Sequence, residues 1–201
     1  MTVGAIDKPM SERLLPRDLL PNPDNCALLV VDIQERLVAG MPGEIGTRVV
    51  RNAAILIHTA AEFHLPILVS EQYPRGLGPT VAEIKAALPE STTPVDKVAF
   101  SCCAVPAFRP LLDGIGQRDI LICGIEAHVC VLQTALDLLQ SGRRVYAVAD
   151  AMCSRHKHNW RTGLDLMRQA GAVIGTTEIF AFALLGGAGT DQFKRIASLV
   201  K

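Results

Sequence analysis

This sequence carries no net charge: 20 Lys+Arg offset 20 Asp+Glu over 201 residues. No positive field pulls on phosphates, so a nucleic-acid partner is not expected. It also has no run of ~18 uncharged apolar residues, so neither a transmembrane helix nor a membrane partner is expected. The first 25 residues, MTVGAIDKPMSERLLPRDLLPNPDN, hold charges and prolines where a secretory leader needs an apolar core. The expectation is a cytoplasmic protein with an irregular arm over residues 1–25 and one domain over 26–201.

Signatures for metals and nucleotides are missing too. There is no HExxH, no CxxC and no clustered Asp/His spacing, and no GxGxxG or P-loop pattern follows a strand. No metal and no cofactor are therefore expected. Six cysteines (Cys26, Cys102, Cys103, Cys123, Cys130 and Cys153) follow no regular spacing, which fits free thiols better than a disulfide framework. What is present is hydrophobicity: 49% apolar residues against 20% charged, with a mean hydropathy of +0.28. That excludes a disordered chain. It fits a largely buried parallel sheet, or a surface covered by other subunits, so a homo-oligomer is expected.

The apolar residues alternate between short β-rich runs and longer helical patterns. Strands are expected at Ala27–Val31, Ile67–Ser70, Val95–Phe100, Asp119–Cys123, Val145–Ala149 and Ala172–Ile174. A helix is expected from about Gly43, with Ile45, Val49, Ala53, Leu56 and Ala60 on one stripe. Further helices are expected at Thr80–Leu88, capped by Thr80 with Glu83 three residues on, and at Val105–Leu112, with Pro106 in its first turn. Two more fall at Ala127–Gln140, with Val129, Leu132, Leu136 and Leu139 on one face, and at Asn159–Ala170. Glu71–Pro79, rich in Gly and Pro, reads as a loop. Strand–helix alternation argues for βαβ units, hence an α/β fold: a three-layer αβα, doubly wound domain on a parallel sheet. Ligands of such domains sit beyond the carboxyl ends of the strands, so residues there are examined first.

Asp32 ends the most apolar strand. It either caps the next helix or, as a carboxylate rarely buried alone, exchanges protons. Cys130 sits one turn into the helix after the strand Asp119–Cys123. Free cysteines usually just pack, but the unpaired N–H groups of a helix start can hold an oxyanion and lower a thiol pKa. Lys97 borders an apolar run, either as a snorkelling edge residue or as a buried ammonium balancing negative groups. His128 lies two residues before Cys130, a spacing that does not face it on a helix. His156 and His158 read as a solvated turn.

Four motifs occur in a meaningful order: VVDIQ (Val30–Gln34), DKVAFS (Asp96–Ser101), GIEAHVCV (Gly124–Val131) and ADAMCSR (Ala149–Arg155). Together they resemble the isochorismatase-like cysteine hydrolase superfamily over about Cys26 to Ile179. SEQYPRGLGPT (Ser70–Thr80) looks like the branch of isochorismatase domain-containing proteins. The resemblance implies a six-stranded parallel sheet and a catalytic triad of Asp32, Lys97 and Cys130. It also implies a non-proline cis peptide at Ile125–Glu126, and an oxyanion hole made by the backbone N–H groups of Glu126 and Cys130. Gln34, Gln72 and Tyr73 are expected around the substrate pocket.

Nicotinamidases of this superfamily carry an Asp-x-His metal motif after the second strand. SEQYPRG has no histidine, so metal binding and nicotinamidase activity are not expected. Siderophore isochorismatases generally lack the cysteine, so Cys130 favours acyl over vinyl-ether chemistry. The expected activity is hydrolysis of a small amide, carbamoyl or ester substrate through a covalent thioester. A catalytically idle binding or assembly protein on the same scaffold is the alternative. A thiol-redox role, with Cys123 resolving Cys130, is a third reading.

Overall fold

The computed structural model describes residues 16–114, 116 and 118–201. Six strands form one all-parallel sheet: β1 (Cys26–Val31), β2 (Ile67–Gln72), β3 (Val95–Lys97), β4 (Asp119–Ile125), β5 (Arg144–Cys153) and β6 (Val173–Gly175). Their spatial order is β3-β2-β1-β4-β5-β6, which reverses direction between β1 and β4. The helices are α1 (Glu35–Ala39), α2 (Ile45–Glu62), α3 (Pro74–Leu77), α4 (Ala82–Ala87), α5 (Arg109–Gly114), α6 (Leu132–Gln140), α7 (Lys157–Gln169), α8 (Thr177–Leu185) and α9 (Asp191–Leu199).

The sequence CALLVV explains why β1 is central. Every position is apolar, and successive side chains point to opposite faces. Cys26, Leu28 and Val30 enter one core with Val49, Ala53, Leu56 and Ala60 of α2 and Phe180 and Leu184 of α8. Ala27, Leu29 and Val31 enter the other with Ala135 and Leu138 of α6 and Leu164 and Met167 of α7. This is a three-layer αβα architecture. Gly124, with φ +131°, lets β4 meet β1 closely: a Cβ there would lie 2.0 Å from the Val31 carbonyl oxygen.

Several local expectations are corrected. Glu71 and Gln72 extend β2, and Pro74–Leu77 forms a helical turn, so Glu71–Pro79 is not all loop. Val98–Phe100 leave β3: the Ala99 and Phe100 carbonyls accept from Lys97 Nζ, and the Val98 carbonyl accepts from Gln72 Nε2. Val81, not Thr80, precedes α4, and Thr80 pairs with Gln34 in an isolated bridge while its N–H donates to Glu71. The helix expected at Val105–Leu112 starts at Arg109, where Pro110 occupies its first turn.

Ala127–Val131 is a π turn preceding α6. A residue added to a turn rotates the downstream helix by about 100°. Thus Val131, Ala135 and Leu138 reach the core, whereas Leu136 is 38% exposed and Leu132 and Leu139 are half-buried. Residues 1–15 of the expected arm lie outside the described residues. Residues 16–25 tie onto the starts of β4 and β5: Asn22 N–H donates to Asp119 at 2.9 Å, Arg144 bonds both Asp18 and Asp119, and the Tyr146 hydroxyl donates to the Asp18 carbonyl at 2.9 Å.

Candidate active site

The carboxyl ends of β1 to β4 converge on one point, at the reversal of strand order where doubly wound sheets open a crevice. Asp32 follows β1 directly, in a left-handed conformation (φ +51°) that non-glycine residues rarely hold without a reason. Its carboxylate is fully buried. Lys97, the last residue of β3, reaches across β2 and places Nζ 2.7 Å from Asp32 Oδ2, with both side chains at 0% exposure. Ser70 of β2 lies between them in the sheet and donates its hydroxyl to Asp32 Oδ1 at 2.8 Å. Cys102 Sγ stands behind Ser70 Oγ at 3.4 Å.

Cys130 comes from the π turn after β4, 6% exposed, and its thiol is close enough to interact with both Asp32 and Lys97. The sequence therefore brings Asp32, Lys97 and Cys130 together from three remote segments. Their electrostatics differ from the helix-start expectation. Burial pushes the thiol up to about 12; the Asp32 carboxylate adds to the rise and the Lys97 ammonium opposes it. Desolvation is the largest influence on the thiol, and it favours the neutral form.

The Ile125–Glu126 peptide bond is cis. Glu126 is buried, and its carboxylate accepts from the backbone N–H of Arg155 at 2.9 Å and from its guanidinium at 3.2 Å. His128 turns away from Cys130: its ring nitrogens lie 2.9 Å from Ser154 Oγ and 3.3 Å from Asn159 Nδ2. Cys123 is fully buried in the core opposite to that of Cys130, on the other face of the sheet, so the redox pairing is overturned.

The three expected pocket residues separate. Tyr73, left-handed at φ +37° and 54% exposed, stands on the rim of a cleft of about 420 Å³ beside Lys97, together with Arg75, Val98, Val105 and Pro106. Gln72 is half-buried and bonds Lys97 Nζ at 2.7 Å through Oε1. Gln34 is fully buried, with its amide committed to the backbone of Gln72 and Gly78, so it shapes the site from behind and does not line it. Sequence reasoning missed Ser70. The signal was available: a polar residue closing a buried strand next to β1 merits the same scrutiny as Asp32. Among the described residues, no cluster of three or more His, Cys, Asp or Glu side chains could hold a metal.

The isochorismatase domain model matches residues 26–179, most of the chain. The chain belongs to the isochorismatase family. This isochorismatase-family chain is 40% identical to isochorismatase domain-containing protein 2 of Pongo abelii over 183 residues, covering 89% of this chain and 84% of the relative. It is 37% identical to the secreted isochorismatase effector Isc1 of Phytophthora sojae, covering 89% and 86%. Among solved structures, the MAR1 ribonuclease of Caenorhabditis elegans superposes with a TM-score of 0.84 at 37% identity, covering 90% of this chain and 92% of that one. The family is one of isochorismatase-like hydrolases. No helix among the described residues is long and apolar enough to cross a membrane.

Proposed function

We propose that this isochorismatase-family protein is a cysteine hydrolase that cleaves a small, neutral amide, carbamoyl or ester substrate through a thioester at Cys130. The observation that carries the reading is the fully buried Lys97–Asp32 pair at 2.7 Å against the only partly exposed Cys130 thiol. An isolated ion pair in a dry site is a weak device for stability. Beside a nucleophile it is a device for moving a proton.

Asp32 takes the thiol proton as Cys130 Sγ bonds to the acyl carbon. Lys97 stays positive throughout and offsets the carboxylate and the forming thiolate in turn. The backbone N–H groups of Glu126 and Cys130 receive the oxyanion, at ~2.7–4 kcal/mol per donor. Asp32 returns its proton to the leaving nitrogen or oxygen as the acyl bond breaks. Water, deprotonated by Asp32, then cleaves the thioester, and the departing sulfur recovers its proton.

Asp32, Lys97 and the neutral thiol sum to zero charge, which suits an uncharged reacting group. Phosphodiester cleavage, suggested by the ribonuclease name of the C. elegans relative, calls for a cation with free N–H groups at the reacting centre. The Lys97 protons are already taken by Asp32, Gln72 and two carbonyls. The reading extends to self-association, supported by exposed Val98, Phe100, Leu166 and Ile179; a monomer by light scattering at micromolar concentration contradicts that part. It extends also to a reducing compartment such as the cytoplasm, supported by six free thiols, although the P. sojae relative is a secreted protein.

The test is a panel of small amides, carbamates and esters, including p-nitrophenyl acetate. Acylated protein is followed by intact mass and the site located by peptide mapping. Acylation of Cys130 in the wild type, absent in Cys130→Ala, is expected. Equal turnover by Cys130→Ala refutes the mechanism. Absence of acylation throughout favours a non-catalytic binding role.

A further inference from the structure

The Gln72 carboxamide is joined at both ends. Its Oε1 accepts from Lys97 Nζ at 2.7 Å, and its Nε2 donates to the Val98 carbonyl at 2.9 Å. A carbonyl can only accept, so Val98 decides which end of the amide faces Lys97. The Gln72 main chain is pinned as well: its N–H donates to Gln34 Oε1 at 2.7 Å, and its carbonyl accepts from Gln34 Nε2 at 3.0 Å. Gln34 N–H in turn donates to the Asp32 carbonyl at 2.9 Å. A closed ring of contacts thus runs from Asp32 through Gln34 and Gln72 to Lys97, and back to Asp32.

An ammonium has three protons on a flexible stem. Lys97 Nζ has Asp32 and Gln72 each at 2.7 Å, then the Phe100 carbonyl at 3.1 Å and the Ala99 carbonyl at 3.3 Å. Gln72 makes the shortest of the neutral contacts, and it is the neutral acceptor whose own main chain is clamped on both sides.

We propose that Gln72 is a positioning residue for acyl transfer, holding the Lys97 ammonium in register with both Asp32 and Cys130, and that Gln34 is its anchor. The proposal rests on the Cys130 hydrolase reading above. Lys97 must offset negative charge at Asp32 before proton transfer and at Asp32 or sulfur during it. A displacement of about 1 Å is enough to cost catalysis ~100-fold in sites of this kind. Two polar side chains placed at strand ends, where pocket residues are expected, serve instead to fix a charge.

The test uses full-length protein, with p-nitrophenyl acetate as the probe and the burst of p-nitrophenolate as the rate of Cys130 acylation, followed against pH. Gln72→Met keeps the length but cannot accept from Lys97; its burst rate is expected to fall ~10-fold or more, with no upward shift of the acid limb. Gln72→Glu keeps an acceptor but puts a second carboxylate on the same ammonium. That raises the proton affinity of Asp32, so the acid limb is expected to move up by ~1 pH unit or more. A merely structural role lowers thermal stability but leaves the burst rate of folded Gln72→Met at the wild-type value, which overturns the proposal whatever the limb does in Gln72→Glu. If Gln72→Met folds poorly, Gln72→Glu, with native volume, carries the test. Wild-type burst rates and an unmoved limb in both variants overturn the proposal while leaving the hydrolase reading intact. A burst that survives in Cys130→Ala, or is absent from the wild type, defeats the hydrolase reading and this proposal with it.

Discussion

Replacing Lys97 by Met removes an ammonium from a place where water cannot replace it. Lys97 and Asp32 have side-chain exposures of 0% and 0%. After the substitution the Asp32 carboxylate retains the Ser70 hydroxyl at 2.8 Å and the charge has no partner among the contacts seen around it. Breaking a buried pair in this way costs ~3–5 kcal/mol, because one charge is left uncompensated. For a domain of this length, 1 kcal/mol corresponds to ~2–4 °C, so Tm should fall by roughly 6–20 °C near neutral pH. The variant has one escape: Asp32 can bind a proton. In Lys97→Met the folded state therefore holds that proton more tightly than the unfolded state, whose Asp titrates near ~3.9. Such a group favours folding below the unfolded value, and its contribution is lost as pH rises. The gap between wild-type and variant Tm should consequently be small near pH 4 and widen toward pH 8. Asp32→Asn/Lys97→Met should recover most of the loss, since no buried charge remains. Thermal scans of the wild type, both singles and the double at several pH values measure this. A Lys97→Met Tm within about 2 °C of wild type at pH 8, or a gap that widens on acidification, refutes the argument.

Ser70→Ala removes a donor to a buried carboxylate and should cost ~1.5–3 kcal/mol in denaturant unfolding, with no cavity large enough to account for it. Gly124→Ala should abolish soluble expression: φ is +131° and the new Cβ would lie 2.0 Å from the Val31 carbonyl oxygen, a clash between two backbones that cannot rotate away. Burial pushes the Cys26, Cys123, Cys130 and Cys153 thiols up to about 12 from an ordinary 9.0. Between those values the unfolded chain loses protons that the folded chain keeps, so stability should fall with rising pH by up to ~1.4 kcal/mol per pH unit for each thiol; flat urea midpoints from pH 9 to 11 would contradict this. At pH 7 iodoacetamide should modify Cys130 no faster than a model thiol, and peptide mapping that finds rapid alkylation there would show that the thiol is ionised at rest.

Local chemistry made part of this molecule legible. CALLVV admits no exposed face, so β1 and its neighbours could be read as a buried parallel sheet, and Asp32 stood out as the polar residue that ends it. Lys97 was harder. Its strand has three residues, and its burial depends on acceptors 65 and 25 positions away in sequence, which no local pattern encodes. The face of α6 was misread for a related reason: Leu132, Leu136 and Leu139 have the spacing of a core stripe, but the π turn before them changes the phase. That turn carries Cys130, and α7 packs against it so closely that a Cβ on Gly163 would sit 3.0 Å from the His128 Cα. Local backbone geometry overrode the periodicity at the point where the periodicity was being read. Gln34 and Gln72 show a further point: both are polar residues at the expected end of the sheet, and their amides are already engaged by neighbouring groups, which no local pattern reveals.

A thiol held neutral by burial would change what the helix start is for. In a thiolate–imidazolium enzyme the N-terminal N–H groups stabilise a sulfur that is already anionic. Here burial is the largest influence on the sulfur and favours its neutral form, and the ion pair beside Cys130 holds one carboxylate and one ammonium, so a standing thiolate would add a second negative charge to a single positive one. In the proposed mechanism negative charge on sulfur is offset only while Asp32 carries the proton that sulfur gave up, which keeps the three groups neutral in sum until sulfur bonds to carbon and the charge passes to the substrate oxygen. In the mechanism proposed above, proton transfer and attack are thereby coupled, and the substrate oxygen is assigned to the N–H groups of Glu126 and Cys130. On that mechanism the same coupling would protect the thiol between turnovers, because an electrophile that offers no oxygen to those N–H groups would meet a neutral, shielded sulfur. Selectivity would then come from the demand that a carbonyl arrive in place before the nucleophile exists.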